Sequence, residues 1–457
     1  MYRQKQNKLQ IPELENPAEA VLVGNAIGSS PPDKTQQKQR LQLFKLLAVS
    51  AVILYSYAKI IFGTEKENHI KRLNFHSVIK CHRITIRREV GIYLSNEHEK
   101  TFYVGLAQCG SVWACPICAA KIQERRAIEI RSMFEWAYKN KAHQVLMLTL
   151  TFPHKVSDEL SETTKKHAEA LEYFRSGKSY KNFRQKNEYV GMIKGTEITY
   201  GKNGWHLHTH DLYIVKYHLT EQEKLNIIKY INDRWLNCCI KAGLVDVNNA
   251  DQVRSFKKHS INIIFQAKSS DYINKIQETQ NWGADREIAK SNSKFAKKVG
   301  MTPFQILAKS EKKQQYKELF LEYVLCMKHK PQIFWSKGLK NLIGIDEKSD
   351  QELLEEQEDT AQLIVSIPAR PHWRAVAMQN AQGELLNIAQ TEGFAGVQEW
   401  FAEKNLVINP PVVFDKVICN NKTKFNFRLH WQVKDIEKPP PPPPPPPVTI
   451  DNDPLAW

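Results

Sequence analysis

Apolar residues are unevenly spread along this chain, and the period at which they recur changes several times. From Leu41 to Phe62 (LQLFKLLAVSAVILYSYAKIIF) the sequence is nearly continuous apolar, with Lys45 and Lys59 as its only charges. The uncharged stretch Leu46–Ala58 is 13 residues, whereas a bilayer crossing needs about 18 to 20. This predicts a helix over 36–62 buried against the next domain, with lysine snorkelling as the only route to a membrane. Before it, residues 1–35 are polar and aperiodic and read as a flexible arm.

After Cys81 the period shortens to that of β-structure (HRITIRREVGIYL, then KTFYVGL), with Cys81 on the incoming strand, before a cysteine cluster and a helix over Ala119–Tyr138. Val145–Phe152 (VLMLTLTF) alternates as a strand, a helical region runs to Lys186, and Tyr189–Val215 reads as a β-hairpin. Val253–Phe265 reads as a second pairing region, followed by a helix beginning near Ser269. Strand, helix, hairpin and helix in that order describe an α+β domain on an antiparallel sheet.

Farther on, Thr302–Lys340 contains a helix with an aromatic finish (QIFWSKGLK), and Asp346–Asp359 reads as a solvated acidic run at a boundary. An α+β segment then leads to nine consecutive prolines at 439–447, a polyproline II rod. The predicted divisions are a flexible arm (1–35), an N-terminal helix (36–70), a zinc-binding subdomain (71–140), an α+β domain (141–288), a basic helical region (289–345), a C-terminal α+β segment (346–438) and a polyproline tail (439–457).

Charge changes the picture. Lys+Arg 65 against Asp+Glu 49 leaves +16 on 457 residues, a field that favours polyanions and makes nucleic acid the first partner to consider. Basic segments interleaved with aromatics offer phosphate contacts and stacking: Lys178, Lys181, Arg184 and Lys186 in one, Lys290, Lys294, Lys297 and Lys298 in the other. With 8 Cys, four of them before position 119, and no cleavable signal pattern, the chain reads as belonging to a reducing, cytoplasmic compartment.

Cys109, Cys115 and Cys118 lie within C-G-S-V-W-A-C-P-I-C, and a C-P-x-C knuckle aims two sulfurs at one tetrahedral ion. Cys81 can supply the fourth thiolate of a closed structural Zn²⁺ site, with His82 as its rival. Cys238, Cys239, Cys326 and Cys419 lack partner spacing. The order of motifs excludes a zinc deaminase, whose H-x-E precedes P-C-x-x-C.

The second cluster is G-W-H-L-H-T-H-D-L, which puts His206, His208 and His210 on one face of a strand. If Gly201–Gly204 is the hairpin loop, Glu197 faces His208 and Gly195 faces His210. One carboxylate with two or three imidazoles suits Mg²⁺ or Mn²⁺ with open positions better than a closed zinc site. Thr149 and Thr151 present hydroxyls on one strand face. Tyr272 and Lys275 share a helix face at i and i+3 and offer a nucleophile with a cation beside it.

The succession C-G-S-V-W-A-C-P-I-C, L-T-L-T-F, E-I-T-Y-G-K-N-G-W-H-L-H-T-H, D-Y-I-N-K and F-W-S-K-G-L-K, spread over roughly residues 40–400, resembles the replication initiator (Rep) proteins of bacterial rolling-circle plasmids. These are HUH endonucleases, named for two histidines flanking a hydrophobic residue. The resemblance implies an HUH-type nuclease domain with a central antiparallel sheet flanked by helices, plus a small Cys-stapled zinc subdomain and a C-terminal α-rich region. It implies that Tyr272 attacks a phosphodiester of single-stranded or cruciform origin DNA, leaving a 5′-phosphotyrosine and a 3′-OH for the host polymerase. A divalent ion on His208, His210 and Glu197 would assist, with His206 in reserve. The implied partners are plasmid origin DNA and host helicase and polymerase, with a second copy of the chain as an option and no obligatory membrane. The family usually has Pro where this chain has Leu207, and some relatives carry Glu one turn before the tyrosine, where this chain has Lys268. Two other functions use the same residues: an origin-binding zinc protein without nicking activity, and a metal-dependent DNA hydrolase that activates water.

Overall fold

The computed structural model describes residues 34–95, 98–270, 300–355 and 361–409. Tyr272, Lys275, Lys290, Lys294, Lys297, Lys298, Cys419 and the proline run lie outside the described residues. The apolar stretch forms helix α1 (Lys34–Phe62), with Leu46, Leu47, Ala51, Leu54 and Ala58 fully buried. Among the described residues it is the one helix long and apolar enough to cross a membrane, and half of its most apolar window is buried inside the protein. The hydroxyl of Ser50, on that buried side, donates to Ala114 O at 2.8 Å and ties α1 to the cysteine knuckle.

Strands β1 (Glu89–Ser95) and β2 (Thr101–Val104) form a hairpin, and helix α2 (Pro116–Tyr138) follows the knuckle. Next come β3 (His143–Leu150), α3 (Leu160–Phe174), α4 (Gly177–Lys186), the hairpin β4 (Gly191–Gly201) and β5 (Gly204–Lys216), α5 (Glu221–Lys241), α6 (Ala250–His259) and β6 (Ile261–Ile264). After residue 300 the chain adds α7 (Pro303–Ser310), α8 (Gln314–Met327), β7 (Ile333–Trp335), α9 (Asp350–Glu355), β8 (Ala361–Pro368) and α10 (Gln382–Thr391) among its elements. The architecture is mixed α+β on two antiparallel sheets, β2-β1-β8 and β6-β3-β5-β4-β7.

Four expectations need correction. Cys81 is not on a strand but follows a 3-10 turn, Ser77–Lys80, whose start is capped by the His76 side chain accepting from Val78 N. Val253–His259 is helical, because Asn249 caps α6 by accepting from Gln252 N and Phe256 needs burial at helical spacing, so pairing is confined to β6. The acidic run is not a solvated boundary where it is described: Leu353 and Leu354 are 2% exposed, and Asp350 ion-pairs with Arg126 of α2 at 2.8 Å. Finally, strands from beyond residue 300 complete both sheets, β7 pairing with β4 and β8 with β1. Neither the 71–140 nor the 141–288 segment is therefore closed by its own strands; each edge gains backbone partners and buried side chains from distant chain.

Candidate metal and nucleic-acid site

The five-stranded sheet has one face that changes character along its length. Leu212 and Ile214 of β5, with Val145 and Met147 of β3 and Ile193 of β4, pack on Ile130, Met133 and Phe134 of α2. Two residues closer to the hairpin tip the same alternation brings out His210, then His208 and His206, flanked by Thr149, Glu197 and Thr199. Apolar packing at one end thus holds the strands in phase, and a one-residue slip would send every histidine to the other side. The register is the one read from the hairpin: Glu197 pairs with His208, Thr199 with His206, and Gly195 with His210. Gly204 turns the tip with φ of 84°, and a Cβ there would lie 2.8 Å from Val156 Cα.

Glu197 Oε2 lies 2.9 Å from Nε2 of both His208 and His210, and those two nitrogens are 3.2 Å apart. Adjacent ligands of an octahedral ion at about 2.1 Å are about 3.0 Å apart, so the three atoms match one face of such a shell. Burial would raise the Glu197 carboxyl, but the hydrogen bonds from His208 and His210 outweigh it and lower its pKa to about 2. The carboxylate is therefore anionic across the physiological range. Thr149 Oγ1 lies 3.0 Å from His210 Nδ1, which fixes the ring and leaves Nε2 aimed at Glu197. Nδ1 of His208 is buried without a hydrogen-bond partner among the described residues.

His206 does not join the converging trio. Its ring lies between those of His208 (4.8 Å) and His154 (4.9 Å), and burial, reinforced by His208, lowers its pKa to about 3. His154, in the loop after β3, escaped the sequence reading. Its only local signal is a histidine following Pro153, which says nothing about which strand it meets.

The four cysteines do converge. Cys81 Sγ is 3.7 Å from Cys115 Sγ and 3.6 Å from Cys118 Sγ, and Cys109 Sγ is 3.6 Å from Cys118 Sγ. Four thiolates around zinc at about 2.3 Å would sit about 3.8 Å apart. Burial pushes the Cys81 and Cys115 thiols up, whereas hydrogen bonds from Cys109, Cys115 and Cys81 hold Cys118 well down. A buried group of four sulfurs can carry further negative charge only with a cation among them. His82, the rival ligand, turns its ring edge-on to Phe44 at 5.6 Å and stays outside this group. Cys238 and Cys239 are buried core thiols.

Lys178, Lys181, Arg184 and Lys186 are exposed on α4, which packs through Tyr180 and Tyr189 toward Tyr213 on the sheet face opposite the histidines. Tyr180 and Phe183 anchor that helix, and Arg184 lies over the Tyr189 ring at 4.6 Å.

Comparison with known proteins bears on this arrangement. The family described as "Replication protein" matches residues 106–378. A "Protein rep" from Streptomyces lividans is 31% identical over 140 residues, covering 24% of this chain and 30% of its own length. A "Neomycin resistance protein" from Streptomyces cyanogenus is 26% identical over 138 residues, 24% and 31% respectively. A "Protein rep" from Staphylococcus aureus is 26% identical over 169 residues, 35% of this chain and 69% of its own. The chain thus spans under a third of the length of the two Streptomyces relatives, at 30% and 31%. No solved structure matches.

Proposed function

This chain belongs to the replication protein family, its matched segment taking in Glu197, His208 and His210 and three of the four clustered cysteines, Cys109, Cys115 and Cys118, and on that premise we propose that it starts rolling-circle replication of a bacterial plasmid by nicking one strand of the origin. The observation that carries the reading is the convergence of Glu197, His208 and His210 on one sheet face. The trio would hold Mg²⁺ or Mn²⁺, whose charge would polarise the scissile phosphate. In the proposed step the Tyr272 phenol oxygen forms the new O–P bond and loses its proton. The P–O3′ bond breaks, and the departing oxygen takes up a proton as the 3′-OH. Lys275 would favour the phenolate. Phosphotyrosine keeps the ester bond energy, so attack by a later 3′-OH rejoins the displaced strand.

The Cys81, Cys109, Cys115 and Cys118 group would bind structural Zn²⁺. Origin DNA, single-stranded or extruded as a cruciform, is the proposed partner, with host helicase and polymerase following and the cytoplasm as the place of action. Lys290, Lys294, Lys297 and Lys298 are proposed as phosphate contacts near Tyr272 in sequence.

The test is incubation of purified protein with Mn²⁺ or Mg²⁺ on single-stranded DNA of its plasmid, followed by a denaturing gel and peptide mass spectrometry. The expected result is a covalent adduct on Tyr272, absent in Tyr272→Phe and reduced at least about 100-fold in His208→Ala. Cleavage without an adduct would replace this reading with hydrolysis by activated water.

A further inference from the structure

A cleft of about 560 Å³ lies between α4 and α5, away from the metal-binding trio. Tyr180 of α4 meets Tyr189 at 6.5 Å, and Tyr189 meets Tyr213 at 5.6 Å. Tyr213 is an odd-numbered residue of β5, so its side chain leaves the sheet on the face opposite His208 and His210. The wall of the cleft is aromatic: the Phe183 and Tyr230 rings stack parallel, 4.6 Å between centroids and 8° between planes. Around them lie Lys178 and Lys186 and the side-chain amides of Asn182 and Asn226. The acidic residue in this lining, Glu223, is compensated by Lys216 at 2.7 Å and by the Thr220 backbone N–H at 2.8 Å.

These groups suit one chemical class. The half-buried ring of Tyr230, backed by buried Phe183, accepts the flat face of any nucleobase, amides donate to and accept from base edges, and ammonium groups hold the phosphates on either side. The volume falls within the range of about 300 to 1,000 Å³ common for small-ligand sites. A duplex keeps its bases stacked away from such a wall, so the fit is to unpaired nucleotides.

We propose that the α4–α5 cleft is a second DNA site that holds a nucleotide of single-stranded DNA, its base on the Phe183–Tyr230 stack, its edge at Asn182 and Asn226, and its flanking phosphates at Lys178 and Lys186. The inference rests on the DNA-binding part of the reading above and is independent of the tyrosine chemistry.

The experiment uses the full chain, without added Mg²⁺ or Mn²⁺, and fluorescein-labelled dT20 with the matching dT20·dA20 duplex as probes in anisotropy titrations. Tyr230→Ala is expected to weaken dT20 binding at least about fivefold, and Tyr230→Phe to leave it unchanged. Lys178→Ala with Lys186→Ala should lower the slope of log K against log salt by about 1.4. A dT20 carrying one 5-iodouracil should photocross-link to Tyr230 or Phe183. Should Tyr230→Ala fail to fold, Asn182→Asp, at an exposed position, takes its place and should weaken binding at least about fivefold by removing the amide donor to the base edge and adding a negative charge beside the strand. A folded Tyr230→Ala or Asn182→Asp that binds dT20 like wild type, or cross-links mapping only elsewhere, overturns the cleft. In that case a Tyr272 adduct would still stand. Equal binding of duplex and dT20 also overturns it, and absence of any DNA binding by wild type overturns the DNA reading itself.

Discussion

Thr149 shows how a residue with no signal of its own acquires a role. A threonine in an alternating strand is ordinary, but the β3–β5 register sets it opposite His210 and its hydroxyl reaches Nδ1 at 3.0 Å. An imidazole whose Nδ1 proton is held by a neighbour presents Nε2 as a lone pair, the form a metal needs. Thr149→Val keeps the shape of the side chain and removes the hydroxyl. It should weaken Mn²⁺ binding about 10- to 100-fold by calorimetry, with the circular dichroism spectrum unchanged. Unaltered Mn²⁺ affinity would show that packing alone orients His210.

At the scale of elements, the cysteine group acts as a joint. Cys115 caps α2 by accepting from Cys118 N at 3.4 Å, with Pro116 opening the helix, while Cys81 arrives from the turn after Lys80. α1 is docked on the same knuckle through Ser50. A bound ion would add a tie between the Cys81 turn and the knuckle helix, beyond the backbone hydrogen bond from His82 N to Ala107 O at 2.8 Å that joins that turn to the segment before Cys109. Cys115→Ser should take the zinc content from about one per chain to near zero by elemental analysis and lower Tm, and a chelator should do the same to the wild type. Full zinc content in Cys115→Ser would exclude this residue as a ligand.

For the whole molecule, stability should depend on pH through buried histidines outside the converging trio. Burial, helped by Lys328 and His329, lowers His76 to a pKa of about 4; burial, helped by Lys194 and Arg175, lowers His167 to about 3. In the unfolded chain both return to about 6.5, so between that value and about 4 the unfolded state binds protons that the folded state refuses. Stability is therefore highest above pH 6.5 and falls on acidification, by about 3 to 4 kcal/mol between pH 7 and pH 5 for the two groups combined. Denaturant melts at pH 7, 6 and 5 measure it. His167→Gln should flatten the dependence, and a flat wild-type profile would contradict the assignment.

Local patterns made much of this legible. Strict alternation from Trp205 to Leu212 put three histidines on one face and, with a short hairpin, placed Glu197 beside them; the C-P-x-C spacing announced converging thiols; an apolar run between Lys45 and Lys59 announced a helix, half of whose most apolar window is buried in the protein. These follow from rotation per residue and side-chain chemistry, which act over a few positions. Other features are long-range. β8 pairs with β1 and β7 with β4 across long sequence separations, the acidic helix docks through Leu353 and Leu354, and His154 reaches His206 from a loop. No local period encodes those meetings, because each is settled by which distant surface best buries an apolar face and satisfies the backbone of an open strand edge.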